Sequence, residues 1–271
     1  METPIRVPVV APEVYIDPFL SEGWYLSTSP ELHIKRMLAS GYEKIFQVCH
    51  CFRKGERGRW HNPEFTMLEW YRTGADYGNI IQDTEQLIAA LAKKPGLADE
   101  IKRGGRKISL STPWPRIKVR DAFLSAAGWD PFEAFDPVRF DIDTVEKIIP
   151  SFDPEMPTVL LDYPEQAAAL ARLSPDGKTA ERAEVFIGGL ELANIYSELN
   201  DPAQQRRRFE DALKEISAEK GANLPSPEKF LDAVPHLPPC GGAALGIDRL
   251  VMLLCNADSI DDVVPFTVDT A

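Results

Sequence analysis

The chain has 271 residues and a formal net charge of −12, and hydrophobic residues make up 44% of it. This length fits one large domain or two small ones, and the hydrophobic content is ample for a core. There is no run of about 18 apolar residues, so we expect no membrane span. The opening residues METP do not resemble a signal peptide. Four cysteines are too few for a disulfide framework, so we expect a cytoplasmic protein.

A helix is predicted over residues 30–40, followed by strands over residues 45–53 and 65–72. The loop between the strands is rich in glycine and basic residues. Because side chains alternate faces along a strand, an antiparallel hairpin would form one wall. That wall would carry Gln47, Cys49, Cys51 and Arg53 beside Phe65, Met67, Glu69 and Tyr71.

The wall of this predicted hairpin suits a nucleotide beside a cationic small molecule. Arg53 offers a planar, permanent cation that matches a pair of phosphate oxygens. Phe65 can stack on a purine ring, while Glu69 and Tyr71 can take an ammonium group. The alternative is an ordinary half-buried hairpin with a surface arginine. The spacing of Cys49-His50-Cys51 is wrong for a structural zinc site.

Weaker signals follow in the middle of the chain. They predict a helix over residues 79–93, a loop over 95–105, short strands over 108–113 and 117–119, helices over 121–128 and 143–149, and a strand end near 160–161. We interpret residues 121–157 as a helical insertion into a single domain.

A second hairpin is predicted around Gly188-Gly189, because a glycine pair between apolar runs is a tight-turn signal. A two-residue turn there puts four side chains on one face, namely Glu184, Phe186, Glu191 and Ala193. Two carboxylates on one face repel each other unless a cation lies between them. Magnesium suits this position because it completes its coordination shell with phosphate oxygens.

Further polar residues follow on the second strand of this hairpin, namely Asn194, Tyr196 and Glu198. They reach the same pocket only if a β-bulge falls between Glu191 and Asn194. The alternative is an amphipathic hairpin whose glutamates are solvated, since charged strand faces are commonly solvent faces.

The last predicted elements are two helices. The first begins after Asp201 and continues to Lys220, with Arg206-Arg207-Arg208 on a solvated face. The second covers residues 247–255 and follows a stretch of glycine and alanine that permits close backbone approach to a ligand. Arg249 near the start of that helix suits a phosphate. The alternative is a buried helix with Arg249 in a surface ion pair.

Together these blocks resemble the class II aminoacyl-tRNA synthetases of the lysyl branch. The stretches that carry the resemblance are TSPELHIKRML from Thr28, FRKGERGRWHNPEFTMLEWY from Phe52, ELANIYSELND from Glu191 and GIDRLVML from Gly246. Within that branch the chain is similar to the lysyl-synthetase-like paralogues that attach (R)-β-lysine to a lysine of elongation factor P. Ala193 and Ala244 are typical of those paralogues, because the true synthetases carry glycine there. One methyl group in a pocket disfavours a ligand that needs the space.

The resemblance implies an α+β fold, an antiparallel sheet flanked by helices. It implies one catalytic domain over residues 1–271, without an anticodon-binding domain. It also implies ATP and Mg²⁺. The ATP-binding residues would be Arg53, Glu56, His61, Asn62, Phe65, Glu184, Glu191 and Arg249, with Arg53 and Arg249 catalytic and Glu184 and Glu191 holding the metal. The amino acid would meet Ser29, Glu31, Glu69, Tyr71, Ala193, Asn194, Tyr196, Glu198, Ala244 and Gly246. Gly55 replaces a synthetase glutamate that contacts adenine, and the neighbouring Glu56 would make that contact instead.

We therefore expect ATP-dependent activation of lysine or (R)-β-lysine and transfer to a lysine side chain of elongation factor P. The acidic net charge is only a bias against tRNA, since many tRNA-binding enzymes are acidic overall. Ala193 and the missing N-terminal nucleic-acid-binding barrel make tRNA the less favoured acceptor. The alternatives are a lysyl-tRNA ligase that lacks its anticodon-binding domain, and a non-catalytic binding module. The family's first-motif helix, which serves dimerisation, would precede Thr3-Pro4 and is absent from the sequence, so a homodimer stays open.

Overall fold

The computed structural model describes residues 2–93 and 100–271. The strands are β1 Arg6–Val7, β2 Leu20–Ser21, β3 Trp24–Leu26, β4 Lys44–Phe52, β5 Glu64–Thr73, β6 Glu100–Arg103, β7 Arg106–Ser109, β8 Arg116–Lys118, β9 Thr158–Pro164, β10 Thr179–Ile187, β11 Leu190–Ser197 and β12 Cys240–Gly246. The α-helices are α1 Glu31–Ala39, α2 Tyr77–Ala92, α3 Val119–Ala122, α4 Pro137–Asp143, α5 Ile149–Ser151, α6 Pro202–Lys220, α7 Glu228–Leu231 and α8 Ile247–Cys255.

The architecture is a seven-stranded sheet in the order β4-β5-β12-β11-β10-β9-β8, with helices on both faces. All neighbouring strands are antiparallel except β8 and β9, which run parallel. The predicted α+β class and the antiparallel sheet flanked by helices are confirmed, with that one parallel pair added. Two small sheets, β1-β3-β2 and β6-β7, lie outside the large one.

The two faces of the large sheet are used differently. One face is covered by α2 and α8 and holds the main apolar core, which includes Ile80, Val185, Ile195, Leu245 and Leu253. The opposite face is covered only at its two ends. A second cluster around Phe123 and Phe140 packs against β9 and β10, and α1 packs against β5 through Ile34 and Leu38. The middle of this face stays open to a ligand.

Helix α2 shows how local sequence fixes these elements. Asp76 accepts a hydrogen bond from the Asn79 backbone N–H at 2.9 Å, and the Asn79 side chain accepts one from the Asp76 N–H. This reciprocal cap satisfies backbone donors that the first turn leaves free. The buried side chains Ile80, Ile81 and Ile88 recur at helical spacing and cover the sheet.

Strand β12 was not predicted, because its sequence CGGAALG has little β propensity. It nevertheless lies in the middle of the sheet, between β5 and β11. Gly242 pairs there with Tyr71 on one side and Tyr196 on the other. A Cβ atom at this position would lie 2.3 Å from Cδ1 of Tyr71 and 2.6 Å from Oε1 of Glu198. Glycine is therefore required for these two side chains to approach the strand.

The other predicted elements fare as follows. The helices expected over 30–40, 79–93, 202–220 and 247–255 are confirmed as α1, α2, α6 and α8. Of the loop expected over 95–105, residues 95–99 lie outside the described part of the chain. Residues 100–103 are strand β6 rather than loop, because they pair with β7.

The segment expected to be a helical insertion, residues 121–157, is largely helical. It contains α4, α5 and π-helical turns over Phe123–Ala127 and Thr144–Ile148. Its status as an insertion stays a prediction. Within the described ranges 2–93 and 100–271, no helix is long and apolar enough to cross a membrane.

We expect Gly242→Ala to lower the free energy of unfolding by about 1–3 kcal/mol, because the added methyl group overlaps Tyr71 and Glu198. Chemical denaturation of the full chain measures this change. Gly58→Ala is the matched control, because a Cβ atom there has no neighbour within 4 Å. Equal stability of the two variants would contradict the close approach at Gly242.

Candidate active site

A cavity of about 270 Å³ opens on the free middle of the sheet. One water occupies about 30 Å³ in the liquid, so the cavity admits an organic ligand. Most of the residues predicted from the sequence line it. They are Ser29, Glu31, Arg53, Glu56, His61, Asn62, Phe65, Glu69, Glu191, Asn194, Tyr196, Ala244, Gly246 and Arg249.

Strand register explains why these residues meet. One row across the sheet runs through Gln47, Glu69, Ala244, Asn194 and Glu184, which are direct neighbours on β4, β5, β12, β11 and β10. Side chains in such a row share one face. The predicted hairpin of β4 and β5 is confirmed in both pairing and face.

The turn between β10 and β11 is also confirmed. Ile187 pairs with Leu190, which leaves Gly188 and Gly189 as a two-residue turn with φ of 57° and 77°. Phe186 then pairs with Glu191 but Val185 pairs with Ala193, so Leu192 is an extra residue. This is the bulge that the prediction required between Glu191 and Asn194.

The same bulge makes one predicted site residue wrong. Ala193 pairs with Val185 and Leu245, and all three belong to the core under α2 and α8. Its methyl group therefore lies on the opposite face from the cavity and contacts no ligand there. Ala244, which pairs with Glu69 and Asn194, does line the cavity.

The basic end of the cavity is built by Arg53 and Arg249. The Arg53 guanidinium carbon lies 5.2 Å from the centre of the Phe65 ring. Arg53 is also 4.0 Å from Glu56, its neighbour across the turn at Gly55. Arg249 donates to the Glu191 carbonyl at 2.8 Å, and its Nη1 lies 3.7 Å from the Glu191 carboxylate.

His61 lies at this basic end, with Nε2 only 2.6 Å from Nη2 of Arg249. Burial and the charges of Arg249 and Arg53 lower the pKa of His61 to about 4. The imidazole is therefore neutral at pH 7, and Nε2 accepts the hydrogen bond from Arg249. Asn62 is buried and donates to the Glu64 carbonyl at 2.7 Å, which holds the loop in place.

The acidic end of the cavity holds three carboxylates, those of Glu31, Glu69 and Glu198. Glu69 and Glu198 are each only 1% exposed. Glu69 accepts a hydrogen bond from the Tyr71 hydroxyl at 2.8 Å, and burial raises the pKa of Glu69 well above its usual value. Tyr71 and Glu198 do not line the cavity themselves but lie directly behind the residues that do, on the same face of the sheet.

Lys35 joins the acidic end and was not predicted from the sequence. Its ammonium group contacts the Glu31 carboxylate and lies 2.5 Å from Oε2 of Glu198. A lysine in an amphipathic helix is normally a solvated residue, so the helical pattern alone gives no signal for this burial. The spacing of Glu31 and Lys35, four residues apart on a helix, was the available signal.

Arg182 is the second residue that the sequence did not reveal. It lines the cavity, and its guanidinium carbon lies 4.5 Å and 5.8 Å from the ring centres of Tyr163 and Tyr196. It also contacts Oε1 of Glu184 at 2.5 Å. Glu184 is thereby partly covered and does not line the cavity itself. An alternating charge on a strand indicates a solvent face, which is why Arg182 was missed.

Glu13 also lines the cavity and was not predicted from the sequence. It comes from the segment before β2, which carries no periodic pattern in the sequence. Burial raises the pKa of Glu13 to about 7, and the nearby Arg53 opposes that rise.

Known proteins resemble this chain over its whole length. The elongation factor P–(R)-β-lysine ligase of Salmonella paratyphi B is 35% identical over 288 residues, which cover 100% of this chain and 89% of that protein. The protein of the same name from Salmonella dublin is 36% identical with the same coverage. The lysine–tRNA ligase of Dehalococcoides mccartyi is 32% identical over 295 residues, which cover 97% of this chain and 59% of that protein.

The sequence profile of the family described as tRNA synthetases class II (D, K and N) matches residues 1–270. The chain belongs to the class II tRNA synthetases. The resemblance drawn from the four sequence stretches is thus confirmed. In this class II synthetase, the roles of individual residues in the cavity remain predictions.

We expect the His61 imidazole of this class II synthetase to stay neutral down to a pH of about 4, because its pKa is lowered to that value. Arg249→Gln removes one cation, so the pKa of His61 should rise toward its ordinary value of 6.5. NMR titration of the ring C–H signals measures it. Arg206→Gln, on α6 and paired with Glu228, is the control and should change nothing. An unmoved pKa in Arg249→Gln would contradict the proposed contact.

Proposed function

We propose that this chain uses ATP to activate lysine or (R)-β-lysine as an acyl-adenylate, and that it transfers the acyl group to a lysine side chain of elongation factor P. The observation that carries the proposal is the two-ended cavity. Arg53 and Arg249 form a cationic end that suits a triphosphate, and the carboxylates of Glu31 and Glu69 form an anionic end that suits ammonium groups.

The residues at the basic end of the cavity suit the base and the phosphates of ATP. The Phe65 ring can stack on adenine, and Glu56, beside the turn at Gly55, can accept a hydrogen bond from the base. Arg53 and Arg249 would neutralise the phosphates. Neutral His61 can hold Arg249 in place without adding a positive charge. These groups are fixed by the protein before the substrate arrives, which is the usual source of electrostatic catalysis.

Glu184 and Glu191 fit a magnesium ion. Burial and the charge of the nearby Glu184 raise the pKa of Glu191, while Arg249, Arg182 and Arg53 oppose that rise. Magnesium is commonly held by one or two carboxylates with phosphates and waters completing its shell. When bound, it would offset phosphate charge and orient ATP. Glu184 would then exchange its contact with Arg182 for the metal.

The proposed reaction needs no covalent bond to the enzyme. A carboxylate oxygen of the amino acid attacks the α-phosphorus of ATP, and the bond to the pyrophosphate leaving group breaks. The lysine amine of the acceptor then attacks the acyl carbon, AMP leaves, and the amine loses a proton. Arg53 would hold the attacking carboxylate beside the α-phosphate, so positioning supplies much of the rate.

A protein acceptor is favoured over tRNA by the charges around the cavity mouth. Arg57 pairs with Asp261 and Asp269 at 2.9 and 2.6 Å, and Arg59 lies 3.3 Å from Asp258. Both arginines lie in the loop between β4 and β5, next to the cavity residues Trp60 and His61. Their acidic partners leave little free positive charge for a phosphate backbone.

The proposal is tested by incubating the full chain with ATP, Mg²⁺ and either lysine isomer, with purified elongation factor P or with total tRNA. Mass spectrometry of the factor should show the addition of one lysine residue at a single lysine. Radiolabel should not appear in tRNA. Label in tRNA with an unmodified factor would overturn the proposal in favour of a lysyl-tRNA ligase.

We expect Glu191→Gln to lower ATP–pyrophosphate exchange by roughly 100-fold or more, because a metal and phosphate contact is lost. The residual exchange should need more Mg²⁺ for half-maximal rate. Glu215→Gln, an exposed acid on α6, is the matched control and should behave as the unmodified chain. Normal exchange and normal Mg²⁺ dependence in Glu191→Gln would show that Glu191 holds no metal.

We expect Ala244→Gly to change the ratio of kcat/KM for the two lysine isomers by roughly tenfold, because one methyl group leaves the cavity wall. Exchange rates with lysine and (R)-β-lysine measure this ratio. Ala193→Gly is the control. It should leave the ratio unchanged and lower the free energy of unfolding by about 1 kcal/mol, since Ala193 packs in the core. A shifted ratio in Ala193→Gly alone would contradict the assignment of faces.

A further inference from the structure

Lys35 is a charged residue in an apolar surrounding. Its side chain is 0% exposed, and its helix neighbours Leu32, Ile34 and Leu38 are buried beside it. Burial of an ammonium group is costly unless the charge is paired. Here it is paired twice, with Glu31 one helical turn earlier and with Glu198 at the end of β11. Lys35 therefore connects α1 to the sheet at the acidic end of the cavity.

The acidic end holds more carboxyl groups than ammonium groups. Glu31, Glu69 and Glu198 bring three carboxyl groups, and Lys35 brings one ammonium group. The Tyr71 hydroxyl donates a hydrogen bond to Glu69 but carries no charge. Burial raises the pKa of Glu69 and of Glu198, so a bound ammonium group would favour the ionised form of these side chains.

Oε1 of Glu198 has no hydrogen-bond partner among the described residues, and it lies directly behind the residues that line the cavity. Lys35 lies against Oε2, while Oε1 is buried. Oε1 lies beside Gly242 and the Tyr71 ring, on the same face as the cavity. An unsatisfied buried carboxylate oxygen is unfavourable, so a cationic group of a ligand is its natural partner.

We propose that Lys35 is a positioning residue that determines specificity. It anchors Glu198 to α1 and leaves the second oxygen of Glu198 for an ammonium group of the ligand. This inference rests on the proposed function, because it concerns the amino acid that the same cavity would activate. Lys35 acts through Glu198 and does not itself touch the reacting atoms.

The ionisation of Glu198 depends on the groups that face it. They are Lys35 and Glu31 on α1, Tyr71 with Glu69 on β5, and Cys240 on β12. Burial raises the pKa of Glu198 to about 7, and Lys35 opposes that rise. Without Lys35 the pKa of Glu198 would be higher still, and the carboxyl group would be neutral over more of the physiological range.

The test compares the full chain with Lys35→Met in ATP–pyrophosphate exchange. The ligands are the active lysine isomer and its analogue without the second ammonium group, norleucine for lysine or 3-aminohexanoate for β-lysine. We expect kcat/KM for the lysine isomer to fall roughly 100-fold, mainly through KM. For the analogue and for the KM of ATP we expect changes within about threefold. Equal losses for both ligands, or no loss, would overturn the role of Lys35.

A pH profile separates positioning from general damage. In the unmodified chain KM for the lysine isomer should rise as pH falls below about 7, where Glu198 takes up a proton. In Lys35→Met this rise should begin at higher pH, because the cation that lowers the pKa of Glu198 is gone. Lys214→Met, an exposed lysine paired with Asp211, is the control and should keep the original profile. An unmoved profile in Lys35→Met would contradict the inference.

Two further measurements keep the test decisive. If Lys35→Met does not fold, Lys35→Met/Glu198→Gln removes a cation and an anion together. Its preference for the lysine isomer should equal that of Glu198→Gln within about threefold, and a further roughly tenfold loss would overturn the inference.

If the unmodified chain exchanges with neither lysine isomer, the proposed function fails. If it does, and Lys35→Met keeps full preference, only the role of Lys35 fails.

Discussion

The constraint on which the rest of this structure depends is the burial of three carboxylates on one face of a sheet. Glu69 and Glu198 are almost fully removed from water, and Glu31 closes the group from α1. Such a cluster is stable only where cations and hydrogen bonds offset the lost hydration. Lys35 and the Tyr71 hydroxyl supply part of that compensation. A cationic ligand can supply the rest of the compensation, so the unfavourable burial of these carboxyl groups favours binding of an ammonium group.

At the opposite end of the same face the charges are reversed, because guanidinium groups there can bind anions. Arg53 and Arg249 reach it from a loop and a helix, while Arg182 comes from the sheet itself. The extra residue at Leu192 turns β11 so that Glu191 and Asn194 both face the cavity. A strand without that bulge would send one of them into the core.

Much of this arrangement could be predicted from the sequence, and the failures have physical causes. The β4–β5 hairpin and α8 follow from local periodicity, which the structure retains. Strand β12 is hidden because its glycine-rich sequence is chosen for close approach to Tyr71 rather than for strand propensity. The bulge between Glu191 and Asn194 was predicted, but the sequence did not show that Leu192 would be the extra residue, so the face of Ala193 came out wrong. Lys35 was missed because burial of a helical lysine depends on a distant strand residue.

The most direct test is a crystal structure of the full chain bound to a sulfamoyl analogue of lysyl-adenylate. The adenine ring should lie on Phe65, the sulfamoyl group should contact Arg53, and the two ammonium groups should lie within hydrogen-bond distance of the carboxylates of Glu31, Glu69 or Glu198. A ligand bound away from this sheet face, or one whose ammonium groups touch none of these carboxylates, would contradict the charge-matched pocket.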